Sequence, residues 1–199
     1  TIKSLPLEAA FSSKGIYRAE VRGEAVISKE RFKAINAFRA EEGLSLLANS
    51  RNSATGGLRT KDPSETARRQ LDAFIFQLGY AVDKNGRDVL PAIKSHHDAI
   101  DFLGNIGFKV SRGEKKLCHG IQEVIDQCNH WALIRDEYPF EIDGMVIKVD
   151  SFDLQDMCGY TSHHPRWAIA YKFQAKQATT KLLDIEYQIG KVGSITPVA

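Results

Sequence analysis

The chain has 199 residues, a formal net charge of +2, 43% hydrophobic and 26% charged residues, the profile of a soluble globular protein of one large or two small domains. A net charge that small does not by itself announce a nucleic-acid partner. No run approaches the roughly 18 apolar residues that a bilayer span requires, and Thr1–Ala10 lacks the apolar core of a signal peptide. Cys118, Cys128 and Cys158 form no C-x-x-C pair, which argues against a disulfide framework or zinc site and favours a reducing, cytoplasmic setting.

In chain order, "IYRAEVRGEAVI" (16–27) predicts a strand, or a strand pair bent at Gly23. "SKERFKAINAFRAEEG" predicts a helix capped by Ser28, buried along Phe32, Ile35 and Phe38 and stopped at Gly43. "LLANSRNSATGGLRTKDPSETARRQ" reads as a long polar loop, and loops of that length in compact domains are usually functional. Between Arg51 and Arg69 it holds five basic residues against two acidic ones, a +3 segment. "LDAFIFQLGY" predicts a buried strand and "AVDKNGRDVL" a loop. Two amphipathic helices follow. The first is capped by Ser95, with Ala99, Ile100, Leu103 and Ile106 inward; the second has Ile121, Val124, Ile125, Cys128 and Ile134 inward. "RDEYPFEID" reads as a solvated loop. The last third predicts strands at 143–149, 167–173 and about 182–190, and "ITPVA" ends as though cut before a further domain. Strands, then helices, then strands again imply an α+β fold with antiparallel sheets and flanking helices.

Three of these strands carry charge where alternation demands burial. In "EIDGMVIKVD", Met145, Ile147 and Val149 share one face, and Gly144, Val146 and Lys148 the other. In "RWAIAYKF", Trp167, Ile169, Tyr171 and Phe173 form a bulky face opposite Ala168, Ala170 and Lys172. In "AEVRGEA", Glu20, Arg22 and Glu24 share a face. A lone strand lysine more often guards a sheet edge against aggregation. Three such strands, each with small or glycine neighbours, favour one shared cleft, because an unpartnered buried ammonium costs several kcal/mol. Lysines to neutralise phosphate, carboxylates (Glu24, Asp143) for a ribose hydroxyl or Mg²⁺, and Val146 for a base make the inventory of a nucleotide site.

The segments "EVRGE", "ANSRNSATGGLR", "EIDGMVIKVD", "GYTSHHPRWAIAYKF" and "LLDIEYQIGKVGSITPVA" together resemble the adenylation domain of bacterial NAD⁺-dependent DNA ligases, over essentially the whole chain. The resemblance implies a covalent-nucleotidyltransferase (ATP-grasp-like) ligase fold, present in part over residues 1–199. It also implies a monomer that uses NAD⁺ and Mg²⁺ or Mn²⁺ and acts on nicked duplex DNA through a lysyl-AMP intermediate. Glu24 would contact the AMP ribose, Val146 and Lys148 the adenine, and Lys172 the α-phosphate. Asp143 would assist catalysis through the divalent metal. Arg51 and Arg59 would engage DNA phosphates. Phe76 stands where the family usually has a tyrosine stacked on adenine.

Departures from the family pattern carry weight. The nucleophile of the family is the lysine of a K-x-D-G motif, and this chain contains none: "EIDG" has glutamate at the lysine position and "DKNG" has asparagine for aspartate. The chain is therefore expected to be a fragment, inactive alone, without the family's upstream nicotinamide-mononucleotide domain or its downstream OB, zinc and helix-hairpin-helix parts. Ser50, Ser53, Thr55 and Gly57 replace the commoner proline, alanines and serine, which suggests a looser DNA-facing loop. Two other readings stand beside this one: an ATP-dependent nucleotidyltransferase of the RNA-ligase or capping type, and a catalytically dead nucleic-acid-binding module. His96–His97 and His163–His164 read as solvent-exposed or capping residues, because adjacent side chains diverge. Trp131 and Trp167 read as packing anchors, and Cys128 as core.

Overall fold

A computed structural model of the chain describes residues 2–175, 177 and 179–199. After a 3-10 turn at Phe11–Lys14, strand β1 (Arg18–Val26) leads into helices α1 (Lys29–Glu41), α2 (Ser50–Arg59) and α3 (Pro63–Arg69). Strand β2 (Asp72–Val82) then returns antiparallel to β1, and a single turn, α4 (Leu90–Ile93), precedes α5 (His96–Asn105) and α6 (Ile121–Ile134). Strand β3 (Gly144–Lys148), helix α7 (Phe152–Cys158) and strand β4 (Ala168–Lys172) follow, and β5 (Glu186–Ile189) with β6 (Ile195–Val198) forms a terminal hairpin. Each strand pair is its own antiparallel two-stranded sheet, so the chain is α+β. Among the described residues no helix is long and apolar enough to cross a membrane.

The main core lies between β2 and α5. Ile75, Leu78 and Ala81 meet Ala99, Ile100, Phe102 and Leu103, and Ile16 and Val110 close the ends. Ser95 caps α5 by accepting the N–H of Asp98, which sets the rotation that turns these residues inward. A smaller core joins Ile27, Ala54 and Leu71 with the half-buried Phe32 and Ile35 of α1, whose cap Ser28 accepts from Arg31 N. Phe38, expected in the same stripe, is exposed.

The segment expected as a loop is two helices. Asn49 caps α2 and Asp62 caps α3, with Pro63 in the first turn of α3. The buried face of α2 is Ser50, Ser53, Ala54 and Gly57, which shows no apolar periodicity. It is small because an arginine fills the space beside it. A Cβ on Gly57 would stand 2.8 Å from Arg69 Cδ, and Arg69 Nη1 donates to Ser53 O at 2.6 Å. The serine and glycine departures thus make a tight helix pair rather than a loose loop. The basic segment is correspondingly less available. Arg69 is turned inward and Arg68 pairs with Glu65 at 3.2 Å, while Arg51, Arg59 and Lys61 stay exposed.

Three further expectations are corrected in part. On α6 Cys128 and Trp131 are buried as expected, whereas Ile121 and Ile125 of the same stripe are 72% and 44% exposed, because the first turns of the helix are not covered. On β4, Trp167 and Phe173 at the strand ends are buried, but Ile169 and Tyr171 are exposed, because the two-stranded sheet has no layer over its middle. The stretch 135–143 is a loop with its acidic side chains exposed, as expected, but its backbone and aromatic rings are tied down. Lys29 N donates to Pro139 O at 2.8 Å, Tyr138 Oη to Glu114 at 2.8 Å, and Phe140 packs edge-on against Phe74.

Candidate functional site

The register of β3 on β4 pairs Gly144 with Lys172, Val146 with Ala170 and Lys148 with Ala168. Partners across a ladder share a face, so these six residues line one side of the sheet. That side meets Phe74 and Phe76 of β2, the end of β1, the first turn of α2 and the 135–143 stretch around a cleft of about 830 Å³. The volume falls within the range of small-molecule pockets. Val146, which is 63% exposed, and the ring of Phe76, 44% exposed, present apolar surface there.

One end of the cleft is charged. Lys172 Nζ donates to Asp143 Oδ2 at 2.7 Å, Arg51 Nη1 lies 3.6 Å from the same oxygen, and Arg51 Nε lies 4.0 Å from Glu24 Oε1. The hydrogen bond from Lys172 and the charges of Lys172 and Arg51 hold the Asp143 carboxyl below its ordinary value, against a smaller opposing effect of burial. Backbone geometry sets this up. A Cβ at position 144 would stand 2.1 Å from Tyr171 O, so only glycine lets the chain come so close, and Phe173 N donates to Asp143 O at 2.9 Å. Arg51 is placed by the start of α2, where Ser50 Oγ donates to Glu141 at 2.6 Å.

Lys148 meets a different environment. Its ammonium donates to Phe76 O at 3.2 Å, lies 3.3 Å from His96 Nε2 and sits 5.2 Å from the Phe76 ring centroid. Burial lowers its pKa to about 8.

Of the residues singled out by the sequence, Glu24, Arg51, Phe76, Asp143, Val146 and Lys172 line the cleft. Lys148 adjoins it through Phe76. Arg59 does not line it; it occupies the last turn of α2, roughly 12 Å along the axis from Arg51. Glu20 and Arg22 do not line it either. The β1–β2 register shifts between Glu20 and Val21 and again between Arg22 and Gly23, and these two side chains pair with each other at 2.6 Å. His96, expected to be exposed or capping, is half-buried against Lys148. The wall residues Tyr138 and Phe140 were hidden in a polar-looking stretch, although their aromatic rings were a usable signal. His163 and His164 are exposed around Thr161, whose hydroxyl accepts both their N–H groups.

Among the described residues no group of three or more His, Cys, Asp or Glu is arranged to hold a metal ion. Asp143 and Glu24 both face Arg51, and a carboxylate such as Asp143 is the donor type that Mg²⁺ takes, with substrate phosphates and water completing its shell.

Residues 1–176 match the NAD-dependent DNA ligase adenylation domain. Over 199 residues the chain is 55% identical to the DNA ligases of Persephonella marina and Sulfurihydrogenibium azorense, and covers 28% of each. Over 198 residues it is 48% identical to the DNA ligase of Aquifex aeolicus, covering 27% of that protein. The chain thus spans little more than a quarter of the length of these relatives. Matched over most of its length, the chain belongs to the NAD-dependent DNA ligase adenylation-domain family.

Proposed function

We propose that the cleft receives the adenylyl group of NAD⁺, and that the whole protein seals nicks in duplex DNA through a lysyl-AMP intermediate. Residues 1–199 are read as part of one adenylation domain with a covalent-nucleotidyltransferase fold. The observation that carries the reading is the convergence of Lys172, Asp143, Arg51 and Glu24 at one end of a cleft floored by Val146 and Phe76. Phe76 and Val146 would pack against the base, Lys148 would meet its edge and Glu24 a ribose hydroxyl. Lys172 would face the α-phosphate, where attack accumulates negative charge on the non-bridging oxygens and a fixed ammonium stabilises it as it forms. Mg²⁺ held through Asp143 would add Lewis-acid stabilisation. Arg51 and Arg59, exposed on α2, would contact DNA phosphates.

These 199 residues contain no K-x-D-G lysine, so the nucleophile of the reaction lies outside them. The reading is tested by calorimetric titration of the chain with AMP, NAD⁺ and ATP, and by intact mass after incubation with NAD⁺ and Mg²⁺. Weak AMP binding, with no gain of an AMP mass, is the expected result. Covalent gain of AMP would show another nucleophile. Tight binding of nicked duplex that ignores all three nucleotides would favour a nucleic-acid-binding module.

A further inference from the structure

Lys172 has a carboxylate partner; Lys148 is held by neutral groups. Its ammonium can only donate, so His96 Nε2, 3.3 Å away, must accept. That requires a neutral imidazole with its proton on Nδ1. Burial, then the charges of Lys148, Lys115 and His97, lower the His96 pKa to about 4, which keeps that form in place at neutral pH. Lys115 and His97 are themselves engaged by Asp101, at 2.6 and 3.4 Å.

The imidazole is also fixed to the strand that carries the lysine. His96 N donates to Asp150 O at 2.8 Å, His97 N to Asp150 Oδ1 at 2.7 Å, and Ser95 bridges to Ser151. The first turn of α5 is therefore stitched to the residues that follow β3, which holds the backbone of His96 beside the strand that carries Lys148. An ammonium has three N–H bonds. Phe76 O and His96 Nε2 take two of them, which leaves one.

We propose that His96 is a positioning residue for Lys148: its Nε2 orients the ammonium beside the Phe76 ring so that one N–H remains for an acceptor on the edge of the bound base. The consequence is base selectivity. A purine with an unprotonated ring nitrogen at that edge, as in adenine, receives the N–H; guanine presents an N–H of its own there and is repelled. The inference rests on the nucleotide reading above, but the contact between the two side chains can be tested without it.

The test uses the isotopically labelled chain. At pH 7 the His96 ring is expected as the Nδ1–H tautomer in ¹⁵N-correlated NMR; an Nε2–H tautomer would overturn the proposal. AMP and GMP binding is then compared in the unsubstituted chain, His96→Leu and His96→Gln. Leucine is expected to weaken AMP about tenfold with little effect on GMP, a change equivalent to one good hydrogen bond. Glutamine, which retains an acceptor, is expected to restore most of the AMP preference. An unchanged AMP/GMP ratio in His96→Leu would sink the positioning role. If neither nucleotide binds the unsubstituted chain, the nucleotide reading fails, and the tautomer decides the His96–Lys148 contact alone.

Discussion

Two lysines on paired strands meet opposite electrostatics, and their chemistry should differ accordingly. Lys172 faces a carboxylate at 2.7 Å and its side chain is 62% exposed. Within the whole protein, Lys172→Ala is expected to slow AMP transfer about 10²–10³-fold. Nucleotide affinity should fall far less, because the ammonium matters most when charge develops on phosphorus. Rapid-quench kinetics separate the two; equal losses would place Lys172 in ground-state binding. Lys148, by contrast, is partly buried beside a neutral histidine, and the pair leaves a signature in stability. His96 titrates near 4 in the folded chain against an ordinary value of 6.5. Between those values the unfolded chain binds a proton that the folded chain refuses, so stability is complete above pH 6.5 and declines as pH falls through about 4. The loss is on the order of 3 kcal/mol. His96→Gln should flatten the urea midpoint between pH 6.5 and 4. A slope equal to that of the unsubstituted chain would mean that His96 is not the titrating group. The Asp143 carboxyl, held below 3.8 chiefly by Lys172, contributes stability that is lost only at more acidic pH.

At the scale of elements, two glycines let segments approach that would otherwise stand apart. Gly144 puts β3 against the Tyr171 carbonyl, and a methyl group there would lie 2.1 Å from that oxygen. Gly144→Ala is expected to cost about 2–3 kcal/mol through overpacking and to loosen the Asp143–Lys172 contact. Thermal melts give the first effect, and the Asp143 titration, moving up toward its ordinary value, gives the second. Gly57 plays the corresponding part between α2 and α3, against the Arg69 stem. The start of α2 hangs on the bond from Ser50 to Glu141. Ser50→Ala should therefore cost about 1 kcal/mol. It should also shift Arg51 away from Asp143 and Glu24, which a paired Ser50→Ala and Arg51→Ala double-mutant cycle on DNA binding would report as non-additive.

For the molecule as a whole, stability is divided unevenly. The β2–α5 core and the smaller Ile27–Ala54–Leu71 core hold residues up to about Val110, with Trp131 and Trp167 burying the later segments. The β5–β6 hairpin stands apart: Tyr187, Ile189 and Ile195 are all exposed, at 70%, 76% and 63%. An isolated two-stranded hairpin is marginal in water. Amides of 186–198 are expected to exchange within seconds to minutes, while those of β2 and α5 persist for hours. Protection of the hairpin comparable to β2 would show that it packs on the rest of the chain.

The sequence alone determined what is local. Caps at Ser28 and Ser95, strand alternation in β3 and β4, and the α+β order are encoded within a few residues of one another, and the shared face of Val146 and Lys148 with Ala170 and Lys172 follows once the two strands pair. Only the tertiary structure decided the rest. The helices α2 and α3 escaped periodicity because their buried residues are serine, alanine and glycine, packed on an arginine stem. Ile121 is exposed although Cys128, two turns along the same face, is buried, because burial depends on how far the neighbouring elements cover a helix. His96 reached Lys148 across 52 residues of sequence because the first turn of α5 is docked by hydrogen bonds on Asp150. Contacts of that kind depend on how separate elements settle against each other, and no short stretch of sequence carries that information.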